Sequence, residues 1–356
     1  MNKFFLPLIL LVVFACKTEK NENKPIVFED IDQSIKPGDD FFNHVNKTWM
    51  DNAVIADDQV GVGAYRFLNI PQQEKLKNIL EEVSQNEHPK GSVEQLVGDF
   101  YASGMDTVTI NKLGTDPIKP LLNKIDAITT TDELFAFVVN QITVGDYSML
   151  SAYVSADQKN STNNILHLSQ TGLGLPDRDY YFKEDPSVAK IQTAYKTYLE
   201  DIFKLVGENE TTKKAKIVYN IEKELAESHK TRIQRRVIKE NYHKMAVTDL
   251  DKSHDNINWV NVFEMLGADI DSLNVAQPAY YDTLNKMLKS TSIDDWKLYL
   301  KANSIGTYAS ILSTPFQDVS FEYSKVLSGQ SVQQSRTKQM VRRVDRQIGF
   351  ALGQLY

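Results

Sequence analysis

Among the side chains able to do chemistry, the six histidines of this 356-residue chain come first. A catalytic zinc takes three protein ligands and keeps one position open, and two histidines four apart on a helix supply two of them economically. His44, His88, His167, His229, His243 and His254 contain no such pair, and no His-Glu-x-x-His occurs. Each reads as a surface histidine or a hydrogen-bonded core one. Asp40 and His44, one turn apart on a helix starting after Gly38, form the best remaining pair, and as exposed neighbours they would contribute a few tenths of a kcal/mol. The chain has no glycine-rich phosphate loop, no Gly-x-Ser-x-Gly elbow and no Cys-x-x-Cys. No catalytic residue and no metal ligand is assigned within it.

The single cysteine, Cys16, has no disulfide partner. It follows a positive start at Lys3, an apolar run over residues 4–14 and the small Ala15. That run is shorter than the roughly 20 residues a membrane-spanning helix needs, so residues 1–16 read as a signal peptide. Val13-Phe14-Ala15-Cys16 resembles a bacterial lipobox, which implies acylation at Cys16, a membrane partner through the lipid and a place in the bacterial cell envelope. The polar, aperiodic residues that follow suit a flexible tether over 17–35, with the folded domain over 36–356.

At 42% apolar and 24% charged the chain is ordinary globular material, with 40 basic against 47 acidic residues and a net charge of -7. No field gathers nucleic acid, and none is expected as a partner. Two local basic stretches, residues 230–244 and 336–346, sit on helical patterns and read as solvated or partner-facing surfaces. Spacings of three and four recur along most of the chain: Ile191, Tyr195, Tyr198, Ile202 and Leu205 form one stripe, and Met340, Val344, Ile348, Ala351 and Leu355 another. Ser92 with Gln95, Thr130 with Glu133, and Ser331 with Gln334 have capping-box spacing. Residues 150–156 and 164–170 alternate as strands around the polar turn 157–162, predicting a β-hairpin inserted in a mainly α fold. No internal repeat is found.

Two segments carry a resemblance. The first, over residues 36–49, holds Pro37, Gly38, Asp39, Asp40, Phe41 and Trp49 and resembles the opening signature of the neprilysin and endothelin-converting-enzyme family of zinc metalloendopeptidases. Its proline and glycine set a turn, its aspartates favour the helix start, and its aromatics are expected to bury behind it. The second, Gly172-Leu173-Gly174-Leu175-Pro176-Asp177-Arg178-Asp179-Tyr180-Tyr181, is similar to the family's Gly-Leu-Pro-Asp-Arg-Asp-Tyr-Tyr loop. The charged triplet within it reads as a self-bracing turn. Residues 232–245, 296–300, 325–329 and 351–356 follow in the family's order.

The resemblance implies the helical lobe of a two-lobed metallopeptidase that restricts entry to peptides. In the family the zinc ligands, the general-base glutamate and an Asn-Ala-Tyr motif follow the segment matched here, so zinc is expected in a C-terminal domain outside this chain, and the chain alone is expected to be inactive. Where relatives often carry an arginine and an aspartate that touch substrate, this chain has Gly61, Gly63, Tyr65 and Arg66. The run from Arg232 to Arg236 lacks the acidic residue usual between its arginines, which would alter ion pairs between lobes. Because Tyr356 ends an amphipathic helix without a stop signal, a fragment is expected, with the stripe of the last helix left uncovered. The alternative functions are a catalytically dead envelope lipoprotein that binds peptides or proteins, and a structural accessory without a ligand.

Overall fold

The computed structural model describes residues 31–356, which fall into two compact units divided between Ile55 and Ala56. The expected signal peptide, Cys16 and most of the expected tether lie outside the described residues.

The smaller unit is built on α1 (Phe41–Asn52). Pro37, Gly38 and Asp39 lie in the turn before it, and Asp40 is its N-cap, accepting from the Asn43 amide at 3.0 Å. Asp40 is therefore spent on the backbone and does not pair with His44. The His44 ring instead places Nδ1 2.7 Å from the Ile35 carbonyl and 3.1 Å from that of Asp32, folding the entering chain against the helix. The expected burial of the aromatics fails at Phe41, which is 66% exposed, and at Phe42, while Trp49 is half-buried. Within the described residues this unit is one helix and a short lead-in, too little chain to enclose the rings.

The larger unit begins with α2 (Ala64–Gln85), α3 (Val93–Met105), α4 (Thr107–Leu113), α5 (Lys119–Asp126) and α6 (Thr131–Ile142). A hairpin follows, β1 (Ser151–Asp157) and β2 (Asn160–Ser169), then α7 (Asp179–Phe182), α8 (Pro186–Leu205), α9 (Thr211–Glu227) and α10 (Arg232–Arg235). After β3 (Lys244–Ala246) come α11 (Val247–Ser253), α12 (Trp259–Met265) and β4 (Ser272–Val275). The chain ends in α13 (Pro278–Ser290), α14 (Ile293–Tyr308), α15 (Thr314–Ser328) and α16 (Arg336–Leu355). The architecture is mainly α, as the periodicity implied.

The hairpin turn is tighter than expected, because Asp157 accepts from the Lys159 amide at 2.9 Å and closes it early. The hairpin also has company. β4 pairs parallel to β2 and antiparallel to β3, giving a four-stranded sheet in the order β1-β2-β4-β3. β3 and β4 have three and four residues, too few for alternation to be read.

Residues 230–244 do not form the helix their pattern suggested. α10 is a single turn with a capping box between Thr231 and Gln234, and a 3-10 turn follows at Ile238–Asn241. The Asn241 amide donates to the Gln234 and Val237 carbonyls, both at 2.8 Å, offering the backbone an alternative to helical bonding. Ser92 and Thr130 cap their helices as expected. Ser331 and Gln334 instead bond the Asp57 and Asp58 carbonyls, and Ser335 caps α16.

Two cores hold this unit. The larger draws on α5, α6, α8, α9 and α12–α15 with the sheet. The smaller joins Leu76, Leu80 and Val83 of α2, Val97 and Tyr101 of α3, and Met340, Val341, Val344 and Leu352 of α16. At Gly98 a Cβ would stand 2.5 Å from the Val83 carbonyl oxygen, so α2 and α3 approach backbone to backbone there. The stripe of the last helix is consequently covered, contrary to expectation, by two helices from the start of the unit. Non-helical angles at Ile348 (φ -132, ψ 36) turn Leu352 inward, while Ile348, Ala351 and Leu355 pack at the margin.

Candidate functional site

The segment from Gln170 to Phe182 is held from all sides. Gln170 bonds the Lys230 backbone twice, donating to its carbonyl at 3.0 Å and accepting its amide at 2.8 Å, while its own amide donates to Gln277 at 2.9 Å. Gly172 has φ +92, and a Cβ there would stand 2.5 Å from both the Ser148 carbonyl and the Tyr299 hydroxyl. Only glycine fits this turn. The Tyr299 hydroxyl lies between the Ser148 and Gly172 carbonyls, donating to the latter at 3.0 Å.

Beneath the loop sits Glu222 of α9, a buried carboxylate. It accepts the Tyr195 hydroxyl at 2.7 Å, the Tyr181 hydroxyl at 2.9 Å and the Gly174 amide. Burial pushes it up to about 7, and these three donors act against that rise. The Leu175 amide donates to the Tyr181 oxygen at 3.1 Å, so one tyrosine links loop and carboxylate.

The triplet braces itself as the sequence implied. Asp177 accepts the Asp179 amide at 2.9 Å, Arg178 lies 3.2 Å from Asp179, and Lys183 stands 3.2 Å from the other Asp179 oxygen. It also reaches outward, because Asp177 pairs with Arg232 Nε at 2.9 Å. This ion pair lies within the chain. Leu173 is half-buried against the core, Pro176 is exposed, and the Tyr180 carbonyl accepts from Gln192 at 2.8 Å.

Loop, hairpin base and basic segment enclose a polar cleft of about 330 Å³, which His229, Lys230, Arg232 and Arg235 line from one side. Burial, aided by Arg235 and Arg178, holds His229 down at about 4, although its bond to the Thr171 carbonyl at 3.1 Å acts the other way. The ring is neutral at pH 7. Behind the cleft Gln277 donates to Asn241 at 2.9 Å, and Asn274 bonds the Asn241 carbonyl and His167. The arrangement presents positive charge and orients backbone, but it holds no nucleophile with an adjacent base.

The histidines are dispersed. His254 meets Asp282 at 3.1 Å, His88 the Val83 carbonyl at 3.1 Å, and His167 stacks on Tyr153 at 5.1 Å. Among the described residues no three His, Cys, Asp or Glu side chains stand together as a metal requires. They do not fit a zinc ion. At the other expected contact region, Tyr65 is exposed and Arg66 donates to Gln59 at 3.0 Å. Sequence reasoning passed over Glu222, although an acid within the buried series Val218, Tyr219, Ile221, Leu225 and Ala226 was a usable signal.

Residues 37–356 match the N-terminal profile of Peptidase family M13. Similar proteins include endothelin-converting enzyme-like 1 of Rattus norvegicus, 24% identical over 92% of this chain and 44% of that one. Neprilysin-3 of Drosophila melanogaster is 26% identical over 93% and 45% respectively. The zinc metalloprotease ZMP1 of Mycobacterium tuberculosis, solved with an inhibitor, superposes with a TM-score of 0.86 at 29% identity, over 93% of this chain and 51% of that one. PepO of Lactobacillus rhamnosis HN001 shares the fold, with a TM-score of 0.77 at 22% identity. The chain belongs to Peptidase family M13, the zinc metallopeptidases, as an N-terminal domain of that family. It spans about half the length of the relatives it matches.

Proposed function

We propose that this domain is the substrate-gating part of a neprilysin-like zinc endopeptidase, that zinc and the hydrolytic groups belong to a part of the protein outside this chain, and that the domain alone does not cleave peptides. The observation that carries this reading is the match over residues 37–356 to a peptidase family whose similar members are about twice as long. Apolar side chains at the surface of the smaller core support it. Phe350 on α16 is 98% exposed, and Tyr65 and Leu68 on α2 are exposed as well, as a face awaiting another lobe would be. Peptides are the substrates proposed for the whole enzyme.

The deciding experiment is metal analysis and a peptide-cleavage assay on the purified chain, alone and joined to the segment encoded after residue 356. The chain alone is expected to hold no stoichiometric zinc and cleave nothing, and the joined form to do both. Cleavage with one zinc per chain by the chain alone would overturn the reading. We further propose that Cys16 is acylated and holds the enzyme in the bacterial envelope. Cys16→Ser is then expected to move it to the soluble fraction, and unchanged membrane retention would overturn that assignment.

A further inference from the structure

A second concavity, of about 400 Å³, opens beside Glu222 and Tyr195, among α8, α9, α14 and α15. Tyr195, Tyr198 and Tyr323 wall it, with ring centroids 5.2–6.2 Å apart. Asn303, Thr307, Ser310 and Ser320 add uncharged polar groups, and Thr307 and Ser310 are exposed.

The Glu222 carboxylate lines the pocket and is 1% exposed. It is solvated by two hydroxyls and one amide, all neutral, and no basic side chain forms an ion pair with it among the described residues. An acid buried without an ion pair keeps its proton until near neutrality, as Glu222 does, and a cation beside it would favour the ionised form. The surrounding cations are committed elsewhere. Lys196 lies 4.2 Å over the Tyr219 ring, Lys223 5.6 Å from that of Phe182, and Arg343 of α16 donates to Ser310 Oγ at 3.0 Å. The titratable groups facing Glu222 are Tyr181 of α7, Tyr195 and Tyr198 of α8, Tyr219 of its own helix, Tyr299 of α14 and Tyr323 of α15, and burial with the Glu222 charge raises all six. They stay neutral donors throughout the accessible range.

A carboxylate without a counter-charge, at the floor of a pocket walled by electron-rich rings, is built to receive a cation. We propose that this pocket binds a compact organic cation, a primary ammonium or guanidinium group, with Glu222 as counter-ion and the Tyr195, Tyr198 and Tyr323 rings as its walls. Such a group arrives either on a free amine or on a lysine or arginine side chain of a peptide. Nothing in the site depends on peptide cleavage, so the assignment stands apart from the peptidase reading.

Calorimetric titration of the full chain with n-butylammonium, and with n-butanol as its neutral counterpart, tests it. The ammonium is expected to bind and the alcohol to bind at least tenfold more weakly. Affinity should rise about tenfold from pH 6 to pH 8, as a carboxyl titrating near neutrality ionises. Glu222→Gln should abolish binding, and Tyr323→Leu should weaken it in a chain that keeps its carboxylate. The Tyr323→Leu variant and the wild-type pH profile decide the matter if Glu222→Gln does not fold. A lysine tripeptide that binds as well as the free amine assigns the pocket to a peptide side chain, and selective binding of the amine assigns it to a small molecule. Equal binding of alcohol and ammonium, or a pH-independent affinity, would overturn the proposal.

Discussion

Arg232 Nε lies 2.9 Å from an Asp177 carboxylate oxygen, joining the signature loop to the basic segment that closes the polar cleft. The arginine side chain is 61% exposed, so the pair is screened and its contribution to stability small. Arg232→Gln and Asp177→Asn should each cost under about 1 kcal/mol in urea denaturation, with a coupling of a few tenths in the double-mutant cycle. A coupling above about 2 kcal/mol would mean that the pair is effectively buried.

Gly172 should behave quite differently from the arginine. Gly172→Ala adds left-handed strain and drives a Cβ into the Ser148 carbonyl and Tyr299 hydroxyl, so a loss of about 3 kcal/mol is expected. Gly114→Ala is the control: φ is +56 there, but nothing lies within 4 Å, and about 1 kcal/mol should be lost. Equal losses would show that the crowding at Gly172 is relieved by movement of the loop.

Lys301 of α14 is buried between Asp126 and Glu208, 2.7 Å from each. Truncation to alanine removes the charge that both acids use, although Glu208 keeps Lys214. Lys301→Ala should lower stability by about 3 kcal/mol, and Lys301→Met, which keeps the packing, by less. Thermal denaturation of the pair of variants distinguishes lost charge from lost volume, and equal losses would assign the whole effect to charge.

Two acids set opposite pH trends. The Lys159 amide and Tyr242 hydroxyl, with Lys244, hold Asp157 at about 2 in the folded chain. Its stabilisation is present above the ordinary carboxylate range and is lost as pH falls through 4 towards 2. Glu222 is raised to about 7 instead. Its folded form favours the proton, so its contribution is complete below about 4.5 and lost as pH rises to 7, by about 3 kcal/mol. Denaturation curves at pH 5 and 7.5 should therefore converge for Glu222→Gln relative to wild type, and the Asp157→Asn variant should lose its steep acid limb.

What the sequence made legible follows from how local each signal is. The stripe on α8, the caps at Ser92 and Thr130 and the hairpin depend on near neighbours, and they are read from spacing alone. The Asp177, Arg178 and Asp179 brace is equally local. Glu222 is different, because its partners Tyr181 and Tyr195 lie on other helices and no spacing joins them. β4 shares the difficulty, since its register is set by β2 far upstream. The burial of α16 also depends on distant chain, supplied by α2 and α3, and a helix that looked bare in isolation is covered by what came first.

The mixed pairing of the sheet has a consequence for how the domain assembles. β1 and β2 close a loop spanning 18 positions between Ser151 and Ser169, whereas the Asn274 bond to His167 closes one spanning 107. Loop-closure entropy grows as the logarithm of length, so the second closure costs about 1.5 kcal/mol more than the first. The hairpin can thus form early and wait as a half-finished edge, with α8 and α9 packing before β4 arrives to complete the parallel pair. During that interval the β2 edge is open to any strand, and a chain emerging slowly during synthesis would be most exposed to mispairing there.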